Sequence, residues 1–319
     1  MTRFLGCRGN SLNIVAILGV LMPGILSVGF NAASLGGVLS FSSFEAQFPE
    51  IDVTHSTNSS HTSTLQGTVV AVYAIGGFIG TFSCIWIGEF LGRRRTIMVA
   101  SIAQIIGAAL NASAYSLSQL IVSRLTIGVG TGAILGTVPL WQSEISPAHK
   151  RGTHVATKGI FSGLGSALAL FLEFGMSFMP GSITWRLPSA FPIFLCSVIL
   201  GFMFYLPESP RWLLCHNRTL EAREVLAALT DTSMDSDVVE SRISEVRASL
   251  DLAGGKTSLL QACRAGSQRT LNRTLLAVGG MLFVQLTGST VTTFYSKTLT
   301  LPLQIIRFID LFYYSYQDF

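Results

Sequence analysis

Three short clusters set an acid beside arginines. Glu89 is followed by Arg93 and Arg94, Glu144 by Arg151, and Glu208 by Arg211. Each cluster follows a long uncharged stretch, so each sits where an apolar element ends. Such a pairing suits a reversible lock better than a reaction centre. One exposed pair contributes only ~0–1 kcal/mol, but a network at a helix junction can bias a two-state equilibrium. A further charge stands apart: Arg124 opens an apolar, glycine-rich run whose residues 125–140 carry no charge. Inside a bilayer it costs roughly 3 kcal/mol at the midplane unless it is paired or close to the interface. The glycines Gly128, Gly130 and Gly132 do not make a nucleotide loop, which needs a strand before it and a soluble helix after it. No nucleophile–base pair and no metal-ligand spacing occurs, so an enzyme, a metal site and a cofactor are not expected.

The elements that position these residues are membrane helices. Of the 319 residues only 12% are charged, against roughly 25% in soluble domains, and the charges are clustered. The mean hydropathy is +0.54. This composition predicts an all-α, polytopic membrane protein. Apolar stretches place spans at about residues 12–39, 65–87, 96–114, the run after Arg124, 155–178, 187–206 and 271–296. Pro23 and neighbouring glycines suggest a kink in the first. Residues 207–270 differ: they are polar, with apolar residues at helical spacing. Ala222, Val225, Leu226 and Leu229 share one face, and Val239, Ile243, Val246 and Leu250 another. Asp237 with Glu240 reads as a capping box, and Pro210 after Ser209 as the first turn of a short helix.

Most Lys and Arg fall in the N-terminus, residues 88–95, 144–158 and 207–273, which the positive-inside rule puts in the cytoplasm. Residues 40–64 then lie outside, with a glycosylation sequon at Asn58. None of Cys7, Cys84, Cys196, Cys215 and Cys263 lies in an outside loop on this topology, so no structural disulfide is expected. The spans divide as three plus three, with a charged knot after the second and another after the fourth. This internal echo is typical of transporters built from three-helix repeats.

From Arg124 to Gly152 the chain reads R-x-x-x-G-x-G-x-G, then P-x-W-x-x-E-x-x-P-x-x-x-R-G. This pattern resembles the sugar porter family of the major facilitator superfamily. Gly88-Glu89-Phe90-Leu91-Gly92-Arg93-Arg94 is similar to its G-D-R-x-G-R-R loop. Pro207-Glu208-Ser209-Pro210-Arg211 matches its P-E-S-P-R, and Gln285-Leu286-Thr287-Gly288 with Phe294-Tyr295 resembles its Q-Q-x-x-G-x-N…Y-Y. The resemblance implies a six-helix bundle of two three-helix repeats over residues 1–206. A cytoplasmic helical loop (207–270) and a seventh transmembrane helix (271–296) follow. It implies that Glu89, Arg93, Arg94, Glu144, Arg151, Glu208 and Arg211 form a gate on the cytoplasmic side. It also implies a pathway for a sugar or polyol through Asn31, Arg124, Trp141, Gln285 and Thr290. Asn31 stands where proton-coupled members carry an aspartate. An amide cannot titrate, and spans one to four offer Arg124 no carboxylate, so facilitated diffusion is expected rather than proton symport.

The resemblance also exposes departures. Val284 replaces the first glutamine of the family pair, Thr290 its asparagine, and Lys158-Gly159 stands where many relatives carry a glutamine. These changes are compatible with another polyol, a disaccharide or an organic acid. Sugar porters have twelve spans, and residues 297–319 do not resemble the family's continuation. They read as an atypical tail, the mark of a truncation or a gene-model artefact. If the chain stops there, the alternative is a non-transporting membrane protein that docks or senses through its loop. Partners expected are the lipid bilayer and a small solute, not nucleic acid. The expected location is the plasma membrane with a cytoplasmic N-terminus, and the sequence leaves the oligomeric state open.

Overall fold

Among the described residues, six helices are each long and apolar enough to cross a membrane: Gly9–Val38, His61–Leu91, Arg93–Ala112, Leu117–Ile145, Ala156–Met176 and Ile183–Met203. They are spans one to six below. The computed structural model describes residues 4, 6–39, 41–51, 59–147, 151–252 and 270–288, and no strand occurs among the described residues. At 1.5 Å per residue the 30 residues of span one extend about 45 Å, well beyond a ~30 Å hydrocarbon layer. Tilt, a kink or projection of one end takes up the excess. Just ahead of Pro23, which lacks an N–H donor, the span widens into a π-helical turn at Ile17–Leu21.

Among the described residues of the loop, three helices occur: Pro210–Cys215, Thr219–Thr230 and Asp237–Leu252. Their core joins Leu213, Ala222, Val225, Leu226, Val239 and Ile243, with Leu229, Val246 and Leu250 packed against it. Both helical faces read from the sequence are thus buried against each other. The Ser209 hydroxyl accepts from the Trp212 N–H at 3.3 Å, and Pro210 occupies the first turn, as expected. The capping box at Asp237 is not formed. Asp237 is already the first helical residue, the Glu240 N–H donates to the Ser236 carbonyl, and the Glu240 carboxylate pairs with Arg223 instead.

Span six also begins earlier than its hydropathy suggests. Helix Ile183–Met203 takes in Arg186, whose charge had marked the boundary. The guanidinium donates to the carbonyls of Ala112 and Ala114 at 2.9 and 3.4 Å and lies 4.6 Å from the ring centres of both Tyr115 and Trp185. Satisfied in this way, the charge does not end the helix. Around it Phe44 and Phe48 meet Trp185 at centroid distances of 5.4 and 5.8 Å, closing the far end of the bundle with aromatic rings.

Backbone contact fixes the arrangement. Span four lies on span two so closely that a Cβ on Gly80 would strike the Val129 carbonyl, and one on Gly132 the Gly77 carbonyl. Span one meets span five in the same manner, with Gly29 against Ser162 and Gly165 against Leu26. Spans three and six pack on each other between these two pairs. The first three spans and the next three therefore make equivalent contacts, the arrangement of two three-helix repeats.

Helix Thr270–Leu286 carries the first part of the expected seventh span. Residues 289–296, the atypical tail at 297–319, and Cys263 lie outside the described residues.

The seam between spans two and four gives a direct test. Gly132→Val drives side-chain atoms into the Gly77 carbonyl and is expected to cost at least about 2 kcal/mol. Gly201→Ala, with open space around it, is expected to leave stability unchanged or slightly raised. Thermal unfolding of the two variants in detergent compares them.

Candidate functional site

At the charged end of the bundle the acids and arginines converge, but not all as ion pairs. Arg93 Nε lies 3.4 Å from Glu144 Oε2, linking the start of span three to the end of span four. The same guanidinium donates to the Gly88 carbonyl at 2.9 Å. Glu208 acts differently. Its carboxylate accepts the backbone N–H of Arg93 at 2.9 Å, of Arg94 at 3.1 Å and of Ser209 at 2.9 Å. It thus caps the exposed N–H groups and positive dipole end of the span-three helix. The Arg94 side chain turns away to the last carbonyls of span six, Met203 and Phe204, at 2.9 and 2.5 Å. From the loop, the Trp212 indole donates to the Glu89 carbonyl at 2.8 Å.

Of the seven expected gate residues, Glu89, Arg93, Arg94, Glu144 and Glu208 thus meet here. Arg211 is exposed and lines a cleft of about 290 Å³ with Glu144, Leu226 and Arg242, between span four and the loop. Arg151 begins the helix that becomes span five, and its side chain lies outside the description. The loop is also held from span one. Arg8 Nη2 donates to the carbonyls of Ala227 and Thr232 at 3.1 and 2.9 Å, and Nε lies 3.4 Å from Asp231.

Nearer the far end a second set of polar groups is buried. Asn31 is 3% exposed and its amide donates to the Ser27 carbonyl of its own helix at 2.8 Å. Arg124 is 2% exposed, buried within the bundle. Its electrostatic neighbours are Tyr73 of span two and Glu173 of span five. The acids of spans one to four, Glu89 and Glu144, lie at the charged end; the carboxylate whose charge influences Arg124 is Glu173 of span five. Sequence reasoning missed Glu173, although a signal was present: it is the lone charge between Lys158 and Arg186. An ionisable residue in a span is a site by default.

Trp141 is fully buried, and its indole donates to the Pro207 carbonyl at 3.2 Å, within the core formed by spans one, three, four and six. Its place is a joint between span four and the loop. Gln285 sits on an exposed face of helix Thr270–Leu286, and Thr287 bonds its own backbone at Val284. Thr290 and Asn58 lie outside the described residues.

Residues 12–305 match the model of a family described as "Sugar (and other) transporter". The chain is 31% identical over 283 residues to the sugar transporter STL1 of Saccharomyces cerevisiae, covering 87% of this chain and 50% of that protein. It is 34% identical over 236 residues to the MFS-type transporter oryC of Aspergillus oryzae, covering 73% of this chain and 44% of that one. A partially occluded, inward-open structure of the xylose transporter XylE from E. coli aligns with a TM-score of 0.70 at 21% identity, over 91% of this chain and 66% of that chain. That likeness is one of fold. The chain spans about half the length of the curated relatives it matches.

Glu208 carries the prediction here. Glu208→Ala strips the acceptor from three N–H groups and is expected to cost about 2–3 kcal/mol, while Glu208→Gln, which keeps one oxygen, costs less. Burial pushes the Glu208 carboxyl above its ordinary value, and the N–H groups of Ser209, Arg94 and Arg93 pull it part of the way back. The native state then binds more protons than the unfolded chain just above the ordinary glutamate range. Stability from this group falls as pH rises through that window. Unfolding curves at several pH values should show this slope in the wild type and not in Glu208→Gln.

Proposed function

The chain belongs to the sugar transporter family, and we propose that it forms the first half of a carrier, with its loop and the start of the second half. The carrier moves a sugar or a similar polyhydroxylated solute by alternating access. The observation that carries this reading is the pairing of a polar layer inside a two-repeat bundle with a charge lock at one end only. The lock ties spans three and four and the loop through Arg93, Glu144 and Glu208. Each contact is weak enough to open and together they favour one state. Solute hydroxyls need paired donors and acceptors, which Asn31 and Arg124 supply from this half, Gln285 from the next helix and Thr290 from the sequence that follows it. Trp141 acts behind them, as the joint that transmits movement of span four to the loop.

The excess of Lys and Arg at the locked end supports a cytoplasmic N-terminus. The sequon at Asn58, in the stretch that the positive-inside rule assigns to the outside, supports the plasma membrane. The loop helices bind span one through Arg8 and span two through Trp212, an arrangement that supports bracing of the bundle rather than docking of a partner.

Coupling has two readings. Asn31 cannot load a proton, and taken alone it supports facilitated diffusion. The buried carboxylate of Glu173 favours the second, proton symport through span five.

Uptake by the full-length protein in proteoliposomes tests the carrier reading with labelled pentose, hexose and cyclic polyol. Saturable uptake of at least one is expected. Arg124→Leu should lower it by about tenfold or more, a loss of at least 1.4 kcal/mol, with the protein still inserted. Absence of saturable uptake across the panel would overturn the reading and return attention to the loop as a docking module.

A further inference from the structure

We infer that Ser249 is a phosphorylation site and that its phosphate ties the loop to the end of span four. Ser249 opens the last turn of helix Asp237–Leu252, where its exposed hydroxyl donates to the Val246 carbonyl of the same helix at 2.7 Å. It lines the cleft of about 290 Å³ between span four and the loop, together with Arg211, Arg242 and Glu144. Arg247 stands two residues before it and Leu250 directly after. A basic residue shortly before a serine and an apolar one behind it suit a kinase that selects basic substrates. The charge distribution assigns this loop to the cytoplasm, where kinases and nucleoside triphosphates meet. The last turn of a helix frays, so the segment can reach the extended form that a kinase accepts.

The charges of the cleft leave room for an anion. Glu144 is answered by Arg93 at 3.4 Å, and Glu245 by Arg242 at 2.9 Å. Arg211 forms no ion pair among the described residues. The spare charge is therefore positive. Arg242 and Ser249 are seven residues apart, two turns or about 10 Å along one helix face. The Arg242 guanidinium already extends along that face, because its acceptor Glu245 lies three residues nearer to Ser249. Arg211 enters the cleft from a different helix, Pro210–Cys215. Ser244 also follows an arginine by two residues and is exposed, but it lies outside the cleft.

The terminal phosphoryl group of a nucleoside triphosphate passes to Ser249 Oγ. One P–O bond forms, the bond to the bridging oxygen breaks, nucleoside diphosphate leaves, and the kinase base takes the hydroxyl proton. The product carries a charge of about −2 and three acceptor oxygens. Two effects then oppose each other. The C-terminal end of a helix carries about half a negative charge, and Glu245 lies one turn back, so both repel the phosphate. Against them, two guanidiniums offer charge-assisted, bidentate bonds, and Arg211 gives up no acid to make them. The arginines win. The phosphate joins helix Asp237–Leu252 to Arg211, beside Glu144 of span four. The loop, already held to span one by Arg8 and to span two by Trp212, gains a tie at the lock itself.

The test uses the full-length protein in detergent and moves no solute, so its outcome is separate from that of the carrier reading. The catalytic subunit of cAMP-dependent protein kinase, which selects arginine before serine, is supplied with ATP, and mass spectrometry locates the phosphate. Modification of Ser249 is expected. Thermal unfolding then compares each protein before and after treatment. The wild-type midpoint should rise by about 2 °C or more. Ser249→Ala, treated in the same way, should show no rise. The double variant Arg211→Gln, Arg242→Gln should accept the phosphate at Ser249 and also show no rise. Absence of phosphate from Ser249 would overturn the proposal, as would a wild-type midpoint that stays level or falls. An equal rise in the double variant would overturn it too, because the arginines would then have no part in the gain.

Discussion

Lipid offers a helix no hydrophobic reason to prefer a neighbouring helix to a neighbouring acyl chain, so packing area and close contact decide which helices touch. In this bundle that constraint is met where Gly80 and Gly132 let spans two and four meet backbone to backbone, and where Gly29 and Gly165 do the same for spans one and five. Every later feature depends on these seams. They bring Tyr73 of span two and Arg124 of span four to one level. They also bring Glu173 of span five up to Gly37 of span one. The polar layer is thus a by-product of backbone fit.

The two ends of the bundle are closed by different physics. At the far end the closure is aromatic: Phe44, Phe48 and Trp185, with Arg186 laid over Trp185 and Tyr115. Ring packing needs no opposite charge and has little reach. At the other end closure is made by hydrogen bonds and ion pairs, spread over spans one, three, four and six and the loop. Glu208 is central because it serves backbone groups. A backbone cap holds the position of a whole helix, whereas a side-chain pair holds only two flexible arms.

Much of this was legible in the chain. Six apolar runs, the knots between them and the apolar faces of the loop helices are local patterns, and the structure follows them. What was not legible has a common cause. Arg186 looked like a boundary because hydropathy cannot see the carbonyls of Ala112 and Ala114. Asp237 looked like a cap, but Ser236 precedes it and Glu240 found Arg223. Arg8 looked like a topology signal and proved to bind the loop. Glu173 was passed over because the glycine that makes room for it, Gly37, lies on another span. In each case the deciding partner is remote in sequence, and no local pattern records it.

The hold of Arg8 on the loop has a consequence for how the molecule is built. Its acceptor at Thr232 is made 224 residues later. During synthesis the first span enters the bilayer with its leading end unfastened, and stays so while five more spans are threaded. Only when the loop emerges and folds can that end be tied down. The first helix to be inserted is thus the last of the six to be finished, and assembly of this half closes at the point where it began.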